Sequence, residues 1–429
     1  MHGVVSDFGS RGEGTAGEPT WGHNTPKLAL WRGAVYFVFL SMEGSAEDPR
    51  GWSWRLARLD PNSRMVRFGF YETEGMLQPG TLVVDRNGYA HVLDFGEVPG
   101  GLGVRHVMSP SPLDSCGWQG PAVPKDYLGP GVFGYIGVAY DGATHHLHLA
   151  YAANVRSRVE LHLRHAALPL DASGPVVWSS PTVVATAPAG FAPTYPYVVP
   201  LGAGRVAVSW LTAAFGVGTY IDARLRVFTD AGEAAPEVAL AEAPPGATMD
   251  LKDVHREGDG LWFLVQRSWA YRGQPPQTVF ASFVPLASGG AAPSEEEAIR
   301  EGGDSWAYDA AKLYPGSGGL ECFLLTSGRA GGDGLVVYSR SGPGTWRRRQ
   351  ALQPTIDPSD PAVPEMPSHA AVRKPWWGGE PDGPSDLLYS GLVPRRHPTR
   401  GLSPVYNVWF LRGLRQPLKE NSSHVSEGG

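Results

Sequence analysis

A single hairpin pattern recurs through the whole chain at intervals of 55 to 59 residues. Each unit begins with an apolar run, bends at a glycine or polar turn and continues into a second apolar run, which predicts a β-hairpin. The positions that lead into the second runs are Gly33, Gly88, His145, Gly204, Gly260 and Gly319, separated by 55, 57, 59, 56 and 59 residues. One period over the whole chain is typical of repeat folds such as propellers.

Further strand-like segments lie between the hairpins, including Trp54 to Leu59, Val159 to Leu163 and Leu225 to Phe228. Each unit therefore holds about four strands, which matches one propeller blade. The seventh hairpin is interrupted by an insertion that contains Trp376 and Trp377. The pattern predicts an all-β fold, a seven-bladed β-propeller of four-stranded blades. Two packed β-sandwiches are the alternative, which the single period disfavours.

The repeat also predicts the domain organisation. We expect a flexible N-terminal segment over residues 1–20, a single propeller domain over 21–414 and a disordered tail over 415–429. The apolar segment Val405 to Leu411 is expected to supply a last strand in the blade that closes the ring. Ala291 to Ser305 contains three consecutive glutamates and is interpreted as a solvated linker or short helix between blades.

Composition agrees with a β-rich chain and excludes some partners. Charged residues are only 18% of the chain, with 56 Gly and 39 Pro, which favours many short strands joined by turns. The net charge of -6 gives no basic footprint, so we expect no nucleic-acid partner. Two cysteines imply no disulfide framework and favour a reducing compartment.

The sequence alone favours a cytoplasmic location. Met1 to Thr20 has no apolar run of the kind found in a secretion signal. No stretch approaches the roughly 20 apolar residues of a membrane-spanning helix. We therefore expect a soluble chain that does not contact a membrane.

Polar residues recur ten positions before the hairpin turns. These residues are His23, Gln78, Tyr135, Thr194, Asp250, Asp309 and, at the matching place in the seventh unit, His369. Two positions further on lie Thr25, Gly80, Gly137, Pro196, Lys252, Ala311 and Ala371. If the first strand of each unit is innermost, residues two apart face the same side. Polar groups would then ring the mouth of a central channel, above a throat of mostly small residues. Alternatively, they cap strand starts or line a water-filled channel.

The mouth residues suggest acid–base chemistry and glycan binding. His23 titrates near neutrality and could act as an acid or base, or could be a hydrogen-bonded structural histidine. Tyr135 and Tyr195 could stack on a sugar or give up a proton, or could pack in the core. Lys252 and Arg267 could neutralise a substrate carboxylate, or each could form a surface salt bridge.

The remaining candidates are assigned to substrate binding. They are Asn24, Gln78, Asp250, Asp309 and His369. We expect no required cofactor, although His23, His369, Asp250 and Asp309 are residue types that bind a divalent metal. The chain contains no Walker motif, no dinucleotide-binding glycine motif, no zinc-protease HExxH and no nucleophile elbow.

One turn resembles the Asp-box of the sialidase superfamily, Ser-x-Asp-x-Gly-x-Thr-Trp. The segment Ser339 to Trp346 keeps the Ser, Thr and Trp of that pattern, and Asp171 to Gly174 with Trp178 is a looser match. These boxes are structural in that superfamily, so the resemblance implies a propeller fold and no particular activity.

The stretch His23 to Pro26, with Val84 to Val92 in the next unit, resembles BNR-repeat propellers that include ulvan and rhamnose-glucuronate lyases. In that group a histidine near the axis, with Tyr and Arg partners, takes part in cleavage next to a uronic acid. The resemblance implies such a role for His23. It also implies a secreted or periplasmic protein, which leaves the location open.

Three functional hypotheses follow. The leading one is a carbohydrate-active monomer with an acidic glycan as substrate, a lyase in which His23 and Tyr135 or Tyr195 move protons while Lys252 or Arg267 offsets the carboxylate charge. The second is a glycoside hydrolase that uses Asp250 and Asp309. The third is a propeller that binds a glycan or a protein without catalysis.

Overall fold

The computed structural model describes most of the chain. The described ranges are 2–8, 24–42, 52–59, 66–72, 80–128, 131–215, 219–229, 232–269, 278–286, 293–301, 310–316, 319–325, 335–352, 366–380, 387–397 and 401–411. The structural statements below concern these ranges.

The described residues form seven sheets, numbered here in chain order. Strand β1 (His2–Phe8) opens the chain and belongs to the seventh sheet. The first sheet contains β2 (Leu28–Trp31), β3 (Ala34–Met42), β4 (Trp52–Leu59) and β5 (Val66–Glu72). The second contains β6 (Thr81–Val84), β7 (Ala90–Val98), β8 (Gly101–Met108) and β9 (Val123–Leu128). The third contains β10 (Val132–Asp141), β11 (His146–Val155), β12 (Arg158–Ala167), β13 (Val177–Trp178) and β14 (Thr182–Thr186).

The remaining sheets repeat the same plan. The fourth contains β15 (Phe191–Gly202), β16 (Arg205–Ala214), β17 (Thr219–Thr229) and β18 (Val238–Glu242). The fifth contains β19 (Ala247–Glu257), β20 (Gly260–Trp269), β21 (Thr278–Pro285) and β22 (Glu297–Glu301). The sixth contains β23 (Ala310–Gly316), β24 (Gly319–Leu325), β25 (Leu335–Gly342) and β26 (Thr345–Leu352). The seventh contains β27 (Met366–Val372), β28 (Leu387–His397) and β29 (Gly401–Leu411) together with β1. Two short 3-10 helices cover Cys116–Gln119 and Pro375–Trp377.

The sheet order confirms the all-β propeller class. Neighbouring strands are antiparallel, and six sheets are built from strands consecutive in the chain, one fewer than the seven units of the sequence period. The seventh four-stranded sheet is assembled from both ends of the chain, because β29 pairs with β1 from Leu411 opposite His2 to Tyr406 opposite Phe8. The C-terminal strand predicted over Val405 to Leu411 therefore lies within β29.

The first strands of the sheets are innermost, as the hairpin pattern predicts. Successive first strands β2, β6, β10, β15, β19, β23 and β27 contact one another along the chain order. They approach very closely at Gly137, where an added Cβ would lie 2.2 Å from the Pro196 carbonyl oxygen. Such contact between backbones requires glycine at this position and indicates a narrow central axis.

Apolar residues on both faces of the inner strands form the core. In β3, Tyr36 and Val38 pack with residues of the second sheet, while Val35, Phe37 and Phe39 pack on the opposite face against Trp377. A strand that is buried on both faces has a nearly continuous apolar run rather than an alternating one. This explains why the predicted hairpins stand out in the sequence.

The segment 373–380, which we call the floor strap, crosses the axis where the first strands end. The Gly379 N–H donates to the Val84 carbonyl at 2.8 Å, and the Glu380 N–H donates to the Leu30 carbonyl at 2.7 Å. Trp376 packs against core residues of the first, third, fourth and fifth sheets. The strap therefore lies across the floor of the channel and joins the last sheet to the first two.

Two sequence expectations differ from the structure. Part of the segment 1–20, expected to be flexible, forms strand β1. Glu297–Glu301, within the expected linker or short helix, forms β22, the outermost strand of its sheet. No helix in the described part of the chain is long and apolar enough to cross a membrane.

Candidate functional site

The candidate site lies where the first and third strands of each sheet begin, a face that we call the mouth. Tyr135 is near the start of β10, and Tyr195 is near the start of β15. Tyr220 is near the start of β17, the third strand of the fourth sheet, and Asp250 is near the start of β19. Antiparallel order returns every third strand to the same face as the first, so these residues share one side of the propeller.

Three tyrosines form a contiguous cluster at the mouth. The rings of Tyr135 and Tyr195 are stacked, with centroids 3.7 Å apart and an interplanar angle of 23°. Tyr220 meets Tyr195 edge to face at 5.6 Å. A bulge between Thr194 and Tyr197 gives Tyr195 a positive φ of 48°, which turns its side chain out of the regular strand alternation.

Burial keeps the phenols of this cluster protonated. It raises the pKa of Tyr135, Tyr195 and Tyr220 above the ordinary tyrosine value. The hydrogen bond between Tyr135 and Tyr195 lowers the pKa of Tyr135 and raises that of Tyr195. Tyr135 is thus the better proton donor of the stacked pair, while neither phenol is suited to act as a base.

A lysine–aspartate pair lies beside the tyrosines. The Lys252 ammonium donates to Asp250 Oδ2. The negative charge of Asp250 contributes to the raised pKa of Tyr195 and Tyr220, so the carboxylate is close to the aromatic cluster. Two residues further along β15, the Tyr197 hydroxyl donates to the Leu251 carbonyl at 3.1 Å.

Four buried lysines, Lys27, Lys252, Lys312 and Lys374, surround the throat beneath the mouth. Lys312 Nζ donates to the Lys252 carbonyl at 2.8 Å, and Lys374 Nζ contacts Asp253 Oδ2 at 2.5 Å and the Leu313 carbonyl at 2.7 Å. Lys27 Nζ donates to the Gly80 carbonyl at 3.0 Å.

Burial and the charges of neighbouring lysines lower the pKa of two throat lysines. Burial, with the charge of Lys312, lowers the pKa of Lys27 to about 7. Burial also lowers the pKa of Lys312 to about 8, although Asp253 opposes this change. The lysines therefore lower one another's tendency to be charged, while Asp250 and Asp253 offset part of the positive charge along the axis.

Asn24 bridges the central axis. Its side-chain amide donates to the Ile136 carbonyl and to the Pro196 carbonyl, both at 2.9 Å. These acceptors belong to the third and fourth sheets, whereas Asn24 immediately precedes the first sheet. The bridge places the residue that follows His23 close to the strands that carry Tyr135 and Tyr195.

The structure does not bring every sequence candidate to the mouth. Arg267 forms a two-point ion pair with Glu296, at 2.7 and 2.5 Å, and lies over the ring of Phe280 at 4.3 Å. Its guanidinium is therefore engaged within the outer part of the fifth sheet, in agreement with the salt-bridge alternative, and is not part of the tyrosine cluster.

Several other candidates cannot be placed by their side chains. His23, Gln78 and Asp309 lie outside the described residues, and His369 is described only by its backbone, which pairs with Ser390 in the seventh sheet. Of the four candidate metal ligands, Asp250 alone has a described side chain. Within the described ranges, no group of three His, Cys, Asp or Glu side chains could hold a metal ion.

Two parts of the site were missed by the sequence reasoning. Tyr220 belongs to a third strand, so it does not fall at the ten-residue offset that selects first-strand residues. Lys27, Lys312 and Lys374 were not recognised, although Lys27 and Lys312 precede or begin apolar first strands. A lysine within an otherwise apolar first strand is the signal that could have identified them.

A separate cavity of about 260 Å³ lies between the fourth and fifth sheets, lined in part by Arg226, Phe228 and Val284. It lies where β17 and β21, the third strands of these sheets, come to their ends. The cavity is therefore on the face opposite the mouth and does not belong to the tyrosine cluster.

A second polar network is buried in the second sheet. His91 Nδ1 and His106 Nε2 are 3.0 Å apart and hydrogen-bonded, and His91 Nε2 lies 3.6 Å from Asp85 Oδ2. Burial, with the nearby His91, lowers the pKa of His106 well below the ordinary histidine value. The network holds the His106 imidazole in its neutral form inside the sheet and is not part of the mouth.

Comparison with solved structures agrees with this architecture. Superposition on polysaccharide lyase Uly1 covers 94% of this chain and 92% of the lyase, with a TM-score of 0.54 and 12% sequence identity. The two chains share a fold. At this identity the likeness concerns the β-propeller architecture alone.

More distant matches include two other carbohydrate-active enzymes. The α-L-arabinofuranosidase Arb93A from Fusarium graminearum matches 77% of this chain and 91% of its own, with a TM-score of 0.45 and 8% identity. The Cellvibrio cellulosa α-L-arabinanase matches 63% of this chain and 94% of its own, with a TM-score of 0.33 and 11% identity. No family model matches the sequence, and neither does any curated protein.

Proposed function

We propose that this chain is a carbohydrate-active enzyme, a lyase that cleaves a polysaccharide next to a uronic acid. The observation that carries the proposal is the stacked pair of protonated tyrosines directly above a throat with four buried lysines. A uronate carboxylate at the mouth would experience this positive charge. The fold shared with a polysaccharide lyase is consistent with the proposal.

β-Elimination requires three functions in one place. A base removes the proton from C5 of the uronate, the electron pair forms the C4–C5 double bond, and the C4–O bond breaks as the leaving oxygen receives a proton. Positive charge near the carboxylate stabilises the carbanion-like transition state. We assign the base to His23, which directly precedes the axis-bridging Asn24.

Tyr135 is the proposed proton donor to the leaving oxygen. Its pKa is raised by burial, so the phenol is protonated at neutral pH, and its hydrogen bond with Tyr195 makes it the more acidic of the pair. Tyr195 then acts as a positioning residue that holds the Tyr135 ring by stacking. This assignment gives the two tyrosines different roles.

The carboxylate is stabilised by the throat as a whole rather than by one direct ion pair. Lys252 is already bonded to Asp250, and Arg267 is bonded to Glu296. The other lysines are buried, and Asp253 offsets part of the charge of Lys312 and Lys374. Their combined field favours an acidic glycan over a neutral one.

The decisive experiment follows ultraviolet absorbance of an unsaturated uronate while the protein is incubated with a panel of acidic and neutral glycans. We expect absorbance to rise with a uronate polymer and not with a neutral one. New reducing ends without the unsaturated product would instead indicate a hydrolase that uses Asp250 and Asp309. No new double bond with any uronate polymer refutes the lyase.

Tyrosine variants test the proposed roles. We expect Tyr135→Phe to lower kcat by about 10²- to 10⁴-fold, the usual contribution of a general acid. Tyr195→Phe keeps the stacked ring and should lower kcat less. Tyr36→Phe is the control, because the Tyr36 hydroxyl donates to the Leu113 carbonyl within the core, away from the mouth. Equal activity of Tyr135→Phe and the control would contradict the assignment.

A further inference from the structure

The fourth sheet carries a third aromatic side chain at the mouth, besides Tyr195 and Tyr220. Phe215 follows the end of β16 directly, and its N–H donates to the Gly190 carbonyl at 2.9 Å, just before β15 begins. This bond places Phe215 on the same face of the propeller as the starts of β15 and β17. Phe215 is 49% exposed, which is high for a large apolar side chain.

Strand pairing relates Phe215 to the tyrosine cluster. Ala213 is the strand partner of Tyr220, and Phe215 comes two residues after Ala213. Side chains two apart on an extended chain project from the same face, about 7 Å apart. Phe215 therefore follows β16, the strand between those that carry Tyr195 and Tyr220, and lies at the same face of the propeller as these two tyrosines.

We propose that Phe215 forms a second sugar subsite, where an outer sugar of the bound glycan packs on its ring. The inference rests on the proposed function, because it takes the tyrosine cluster as the place where the first sugar is processed. An aromatic ring in water offers a flat apolar surface to the C–H face of a pyranose. A glycan that occupies both places must contain several sugars, so the site favours oligomers and polymers over a disaccharide.

The test measures glycan binding separately from turnover. Ulvan and alginate are cast into native gels, and retardation of the wild-type chain is compared with that of Phe215→Ala, Phe215→Trp and Leu170→Ala. Leu170 is the matched control, since it is 72% exposed and belongs to the segment after β12 rather than to the mouth. Thermal melting shows that each variant is folded.

Phe215→Ala should weaken binding of the retarding polymer by about five- to tenfold, the effect expected from losing one aromatic contact. Phe215→Trp should retain binding, and Leu170→Ala should match the wild type. With uronate oligosaccharides that are turned over, Phe215→Ala should raise KM for a tetrasaccharide and leave KM for a disaccharide and kcat unchanged.

The outcomes separate the subsite from the lyase. If Phe215→Ala weakens retention but no glycan is turned over, the subsite stands and the proposed function fails. If unsaturated product forms and Phe215→Ala binds as the wild type does, the subsite is wrong while the lyase stands. A wild-type chain that neither binds nor cleaves the polymers overturns both.

Discussion

The floor strap depends on a glycine that no other residue can replace. Gly378 has φ 84° and ψ -169°, a combination that is essentially restricted to glycine. A Cβ at this position would lie 1.8 Å from the Val84 carbonyl oxygen and 2.7 Å from the carbonyl carbon. Because these are backbone atoms of a buried strand, the strap rather than β6 must move when Gly378 is changed to Ala.

The magnitude follows from what the strap loses. An alanine in this backbone region costs about 1–3 kcal/mol. Displacement of the strap also breaks the Gly379 bond to Val84 and the Glu380 bond to Leu30, each worth about 1 kcal/mol. We expect Gly378→Ala to lower the free energy of unfolding by about 3–5 kcal/mol.

The assay is urea unfolding followed by tryptophan fluorescence, since Trp376 and Trp377 belong to the strap. Gly342→Ala is the control, because an added Cβ there meets no atom within 4 Å and the backbone is not in the left-handed region. It should change stability by less than about 0.5 kcal/mol. A Gly378→Ala variant as stable as this control would refute the argument that close backbone contact holds the floor.

Three further predictions concern charge in the interior. Because the pKa of Lys27 is lowered to about 7, its ammonium group binds fewer protons in the folded than in the unfolded chain between pH 7 and about 10, so Lys27 should make stability rise with pH by up to about 1.4 kcal/mol per unit. Lys312, with a pKa of about 8, contributes in the same direction above pH 8, so Lys27→Met should reduce the slope most between pH 7 and 8. An unchanged slope in pH-dependent urea titrations would contradict this prediction. The lowered pKa of His106 predicts that stability also rises with pH in a lower range, so stability should be lost as pH falls below about 6.5. His106→Gln should make this loss less steep. A loss as steep as in the wild type would exclude His106 as its source. Asp253→Asn leaves Lys374 without its carboxylate and should lower the free energy of unfolding by about 3–5 kcal/mol. Asp114→Asn removes an exposed pair with Arg32 and should lower it by less than about 1 kcal/mol in the same urea titration. Similar values for the two variants would show that the throat pair is not effectively buried.

The hairpins and the inner strands could be predicted because local signals specify them. Turn glycines such as Gly33 and Gly88 have positive φ, and each precedes a buried run. The period of the turns then identifies the equivalent first strand in each unit. Tyr135 and Asp250 were found by this period, since each lies near the start of a first strand.

The outer strands and the long-range contacts could not be predicted in the same way. Glu297–Glu301 lies at the outer edge of its sheet, and its charged residues suggested a linker. Glu297 nevertheless accepts two bonds from the Arg340 guanidinium and one from the Trp346 indole, 43 and 49 residues away. The pairing of Arg267 with Glu296 is of the same kind. Such partners are chosen by tertiary packing, which a single sequence does not reveal.

The floor strap also determines when the ring can be completed during folding. Gly378 pairs with Val84, about 300 residues earlier, and β29 pairs with β1 across nearly the whole chain. Contacts of such high sequence separation carry a large loop-closure cost and form late. We therefore expect the hairpins to form first and independently, and the axis to become rigid in a slow final step, when the strap docks.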